Sequence, residues 1–155
     1  MSSLVGSWTE HRITAACTFI HDRLEADFAG TDLPTIEFRI DPTWSDPSTV
    51  RSSPDPCPED VIVVCGGHEF PLRLDSGVEW ACSEAAFQLQ DDVMGELNRP
   101  WPELYDSERY IGVLVPSADA PGGIAQWRLD DETFCAIGHL HQASGAAGLT
   151  IKALT

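Results

Sequence analysis

Positive charge is what this chain has least of. Lys152 is its one lysine, set beside eight arginines, against 25 acidic residues, for a formal net charge of −16. A surface of that sign repels phosphates, so direct binding to nucleic acid or to an anionic membrane is not expected. A single lysine also gives little to lysine-based catalysis. No stretch approaches the roughly 18 apolar residues of a membrane span. No basic region followed by an apolar run opens the chain, so no signal peptide is expected and the expected location is the cytoplasm, or an assembly built there. Catalytic signatures are absent as well. There is no Gly-x-Ser-x-Gly, no phosphate-cradling glycine loop, no His-Glu-x-x-His and no Cys-x-x-Cys. The reading therefore assigns no catalytic residue and no cofactor.

What remains is an ordinary globular composition, 43% apolar over 155 residues, enough for one domain with a real core. The five cysteines stand at 17, 57, 65, 82 and 135. Their odd number, with Cys17 and Cys82 on apolar helix stripes, fits free buried thiols in a reducing compartment.

Two long helices are legible. Residues 7–29 carry Ile13, Cys17, Ile20, Leu24 and Phe28 on one face, with Ser7 and Glu10 as an expected capping box and Gly30 beyond the end. From Ser76, the residues Val78, Cys82, Ala85, Ala86, Leu89, Val93 and Leu97 form a second stripe, with Ser76 and Glu79 as its expected capping box and Asn98-Arg99-Pro100 as its stop. Strands are expected at Leu33–Ile40, Val61–Cys65, His68–Leu74, Arg109–Val115, Ile124–Leu129 and Thr133–Leu140. Gly66-Gly67 reads as a hairpin turn, and Pro71 places its strand at an edge or bulge. Residues 41–60, with five prolines between Pro42 and Pro58, read as a long loop. The sum is an α+β domain over residues 1–141: a mainly antiparallel sheet of about six strands packed by two amphipathic helices. Residues 142–155 read as an Ala/Gly/Ser tether followed by a strand-like arm, in which Leu149, Ile151 and Ala153 alternate with Thr150 and Lys152.

Candidate sites are few. Cys135, His139 and His141 have zinc-type donors, and His139 and His141 would share one face of a strand; Cys65 and His68 could join them. Buried thiols and edge histidines explain the same residues, and no metal is assigned. Asp91 with Asp92, and Glu79 with Glu84, read as the wet face of the second helix rather than as acid–base pairs. For partner contacts the candidates are Trp44 in the long loop, Trp101 between two prolines, and Leu149 and Ile151 of the arm. The two tryptophans read more readily as covers of the core. The arm is expected to pair with its own sheet edge or with a neighbour's.

Residues of about 85–141 resemble a stretch found in small proteins of high-GC Gram-positive bacteria. The likeness rests on Leu89-Gln90-Asp91-Asp92-Val93-Met94-Gly95-Glu96-Leu97, Arg99-Pro100-Trp101-Pro102, Ala125-Gln126-Trp127-Arg128-Leu129 and Phe134-Cys135-Ala136-Ile137-Gly138-His139-Leu140. Such proteins often carry Cys and His in a metal-like spacing after the tryptophan-proline link. Here that segment is Glu103-Leu104-Tyr105-Asp106-Ser107-Glu108, with neither. The resemblance implies no activity. The order of helices and strands also resembles small α+β subunits of tailed-phage virions, such as tail terminators. The functional expectation is a non-enzymatic interaction or assembly subunit, a virion component being one instance. Its partner would be a protein or further copies of itself. The alternatives are an acidic immunity or inhibitor protein that binds a basic protein, and, third, a zinc-dependent or thiol enzyme.

Overall fold

A computed structural model describes residues 8–41, 57–119 and 123–152. It has the expected α+β class, with three helices and nine strands in three small antiparallel sheets. The expectation of one sheet of about six strands is replaced by these three sheets of three strands each.

Helix α1 (Glu10–Phe28) buries Ile13, Ala16, Ile20, Leu24 and Phe28, as its three-and-four spacing requires. Its N-cap is Thr9, whose hydroxyl accepts from the Arg12 N–H at 3.1 Å. That replaces the expected Ser7–Glu10 box, and Ser7 lies outside the described residues. Strands β1 (Ile36–Ile40), β2 (Val61–Cys65) and β3 (His68–Pro71) follow as one meander, with Phe38 opposite Val63 and Val63 opposite Phe70. The hairpin at Gly66 needs glycine twice over: its φ is +62°, and a Cβ would stand 2.9 Å from the Pro34 ring. Pro71 lies on an outer strand, where its missing donor costs no ladder bond.

Helix α2 (Val78–Leu97) starts at the first residue of the apolar stripe, two residues after the expected cap Ser76. Leu74–Ser76 form a separate tight turn, and Gly77 takes the N-cap position at φ 108°. Glu79 therefore caps nothing; it is used in a tertiary contact described below. At the other end Asn98 adopts the left-handed conformation at φ 54°. The buried face is narrow-shouldered, with Ala81, Cys82, Ala85 and Ala86 all inside.

After α2 the chain departs furthest from expectation. β4 (Glu103–Asp106) lies in a segment for which the sequence reading has no strand. It pairs with β5 (Arg109–Val113) on one side and β9 (Leu149–Ile151) on the other. The expected strand Arg109–Val115 is split: Leu114 donates to the Pro102 carbonyl at 3.0 Å, and β6 (Val115–Ser117) starts a new sheet with β7 (Gln126–Leu129) and β8 (Glu132–Ala136). Gln90 makes that break possible. Its side chain is 3% exposed, and its amide donates to the carbonyls of Trp101 at 2.9 Å and Leu114 at 2.7 Å. Two backbone acceptors that no strand satisfies are thus paired in the interior.

Residues 142–152 do not form a free tether. Helix α3 (Leu140–Ala143) and a tight turn at Ala146–Gly148 lead into β9, and the Ser144 hydroxyl accepts from the Ile151 N–H at 2.9 Å. The arm pairs with its own sheet. The core joins all three sheets to α1 and α2. At its centre Phe28, Trp101 and Trp127 meet with ring centroids 5.1 to 6.1 Å apart. Among the described residues no helix is long and apolar enough to cross a membrane.

Candidate interaction surface

The metal candidates separate. Cys135 is on β8 opposite Trp127, whereas His139 and His141 lie at the start of and inside α3, so the strand that would align them does not exist. His139 hydrogen-bonds with Gln142 at 3.0 Å, and His141 Nε2 contacts the backbone carbonyl of Asp27 at 3.1 Å. Among the described residues no three Cys, His, Asp or Glu side chains are grouped to hold a metal ion.

Those histidines flank a structural centre that the sequence did not reveal. Asp27 is 0% exposed, and its carboxylate accepts from Trp127 Nε1 at 2.7 Å and from the backbone N–H groups of Gly138 at 2.6 Å and Leu140 at 2.9 Å. One turn earlier on α1, Arg23 donates to both oxygens of Glu79 and to the carbonyls of Ile137 at 2.8 Å and Ala125 at 3.3 Å. Glu79 also accepts from the Ala125 N–H at 2.8 Å. These charges tie the two ends of the β7–β8 hairpin to the two helices. Their partners are all internal, so they hold the fold and present nothing to a substrate.

A second pair sits in an open groove of about 370 Å³ between the β2–β3 turn and α2. His68 Nδ1 contacts Asp92 at 2.7 Å, and Cys65 is nearby. The Cys65 thiol, however, donates to the Pro34 carbonyl at 3.4 Å, and burial, with Asp92 adding to it, pushes its pKa up. A nucleophilic thiol needs the opposite shift. Burial also raises Cys17 to about 11 and, with the charge of Asp27 or Glu79 adding, Cys135 and Cys82 to about 12. At pH 8 a thiol of pKa 12 is ionised to roughly one part in ten thousand. Disulfide reagents should therefore label Cys17, Cys82 and Cys135 at least 100-fold more slowly in the native protein than in urea. Labelling of any of them at the free-cysteine rate would show that its thiol is not shielded as its burial implies.

The partner candidates divide similarly. Trp101 is 2% exposed and packed between Phe28 and Trp127, so it is core and unavailable to a partner. Leu149 and Ile151 are half-buried on β9, opposite Asp106 and Leu104 of the same chain. Trp44 lies outside the described residues.

The surface instead offers large apolar groups elsewhere. Trp80 and Phe87 on α2 are 39% and 50% exposed, with Phe19, Val115 and Ile124 at 45% or more. Hydrogen bonds link the backbone neighbours of these residues. The Phe19 ring stacks under the Arg23 guanidinium, which holds Glu79, the neighbour of Trp80. Glu79 in turn binds the N–H of Ala125, next to Ile124. One turn beyond Phe87, Gln90 anchors Leu114, next to Val115. Along α2 itself Trp80, Glu84, Phe87 and Asp91 follow at steps of four, three and four, within one narrow exposed strip opposite the buried stripe. That spacing was readable in the sequence, but the aromatics were hidden among the polar residues of the wet face. Exposed aromatics interleaved with carboxylates on one helix strip are a usual mark of a protein-binding surface.

No family model matches the chain, and neither a curated protein nor a solved structure matches it. The two resemblances drawn from the sequence thus rest on the residues and the element order that carry them.

Proposed function

We propose that this protein is a non-enzymatic interaction subunit that binds a protein partner through the α2 surface. The observation that carries the reading is the exposed set Phe19, Trp80, Phe87, Val115 and Ile124, beside buried Asp27 and Arg23 whose hydrogen bonds are made within the fold. Aromatic side chains are the commonest anchors of protein interfaces, and they are costly to leave in water without that purpose. A virion is named as one kind of assembly only on the resemblance between the element order expected from the sequence and that of tail-terminator subunits. The net charge of −16 favours a second reading, an acidic inhibitor of a basic protein. Both readings place the partner on the same face.

Site-specific photo-crosslinking in the native host tests this. A benzophenone side chain at position 87 should give one discrete adduct, and the same group at Asp131, on an exposed turn of the β7–β8 hairpin, should give none. Equal, diffuse labelling at both positions, or none at either, would overturn the proposed function. An adduct of twice the chain mass would identify self-assembly.

A further inference from the structure

We infer that the occupant of the α2 strip is a basic amphipathic helical segment of another protein. This rests on the reading above and adds the chemistry of the partner. Trp80 and Phe87 are seven residues apart, about 10 Å along the helix axis. Apolar residues of a partner helix recur at that distance. Glu84 lies between the two aromatics and Asp91 one turn beyond Phe87, both exposed. The strip therefore alternates an apolar anchor and a carboxylate at every turn, and its complement carries Leu-like residues interleaved with Lys or Arg.

The surrounding charge points the same way. Arg23, beside the patch, is 13% exposed and paired with Glu79, so its charge is already met and is not offered to Glu84 or Asp91 of an incoming surface. A second copy of this chain would present the same two carboxylates to their own kind across a two-fold axis, with −16 on each molecule. The strip therefore disfavours itself as partner and favours a basic one.

The test uses two 18-residue peptides of leucine and lysine with identical composition. One places its leucines on a single helical face; the other is scrambled to have no such face. Titrated at physiological salt against the full-length protein, the amphipathic peptide should bind at least ten-fold more tightly than the scrambled one. Trp80→Ala with Phe87→Ala should remove at least ten-fold of that affinity. Glu84→Gln with Asp91→Asn should weaken binding several-fold and flatten its salt dependence. All four positions are exposed or nearly so, and a thermal melt of each variant confirms that it is folded. Phe87→Lys provides an independent check, because it should abolish binding of the amphipathic peptide. Equal binding of the two peptides, or binding unchanged in the aromatic variants, would overturn the inference by reducing it to generic attraction to an acidic surface. A concentration-dependent dimer of the protein alone, lost in Phe87→Lys, would overturn it in favour of a second copy. The photo-crosslink at position 87 would survive either result, so the two proposals fail separately.

Discussion

Replacing Asp27 by alanine should destabilise the protein by about 3–5 kcal/mol, the range for removing one member of a buried charged network. The change leaves three donors without an acceptor: Trp127 Nε1, Gly138 N and Leu140 N. Each buried donor so orphaned costs about 1–3 kcal/mol, and water reaching the site recovers part of this. Denaturant unfolding of the wild type and the variant measures it, and a loss below about 1 kcal/mol would show that the network is incidental. Asp27→Asn separates charge from shape. Burial raises the Asp27 pKa above its ordinary 3.8, against the lowering effects of the Gly138, Trp127 and Leu140 bonds and the charge of His141. A carboxyl that binds its proton more tightly in the folded state contributes stability below its unfolded pKa. That contribution is lost as pH rises through the higher folded value. The wild-type profile should therefore carry a descending component above pH 3.8 that is missing in Asp27→Asn. An unchanged profile would mean that this carboxyl titrates alike folded and unfolded.

The second large effect contrasts two tryptophans. Trp101→Ala should cost about 3–5 kcal/mol, the range for truncating a large buried aromatic. Its ring fills the space between Phe28 and Trp127, and it is 2% exposed. Trp80→Ala, at 39% exposure on the outside of α2, should change stability by less than about 1 kcal/mol while removing affinity for the partner. The pair of unfolding curves decides which tryptophan belongs to the fold and which to the surface. Comparable losses in both would mean that Trp80 is structural and would remove the main anchor of the proposed interface.

Sequence alone went furthest where neighbours along the chain decide the outcome. The stripes of α1 and α2, the Gly66-Gly67 hairpin, the edge position of Pro71 and the stop near Asn98 all follow from local spacing and backbone preference. Local rules also predicted caps that a longer-range interaction overrode. Glu79 was available to a capping box, yet it binds Arg23 and Ala125, because a buried guanidinium needs a carboxylate more than a helix end in contact with water does. The strand His139 would have shared with His141 failed for a similar reason. The left-handed turn at Gly138, φ 108°, ends β8 so that backbone N–H groups can reach Asp27.

The candidate surface was half legible. The helical spacing of Trp80, Glu84, Phe87 and Asp91 could be counted from the chain, but which aromatics face water could not. Trp101, between two prolines, could be read as a partner contact or as a cover of the core, and it is core. By itself the sequence determined the α+β class, both long helices, their buried faces and the acidic character of the exterior, since periodicity and charge are properties of the chain. Only the tertiary structure decided that the strands divide into three sheets, that the last strand returns to β4, and that α2 keeps its aromatic strip uncovered. Those outcomes depend on contacts between residues far apart in sequence, such as Gln90 with Leu114 and Asp27 with Trp127, whose energies no local pattern encodes.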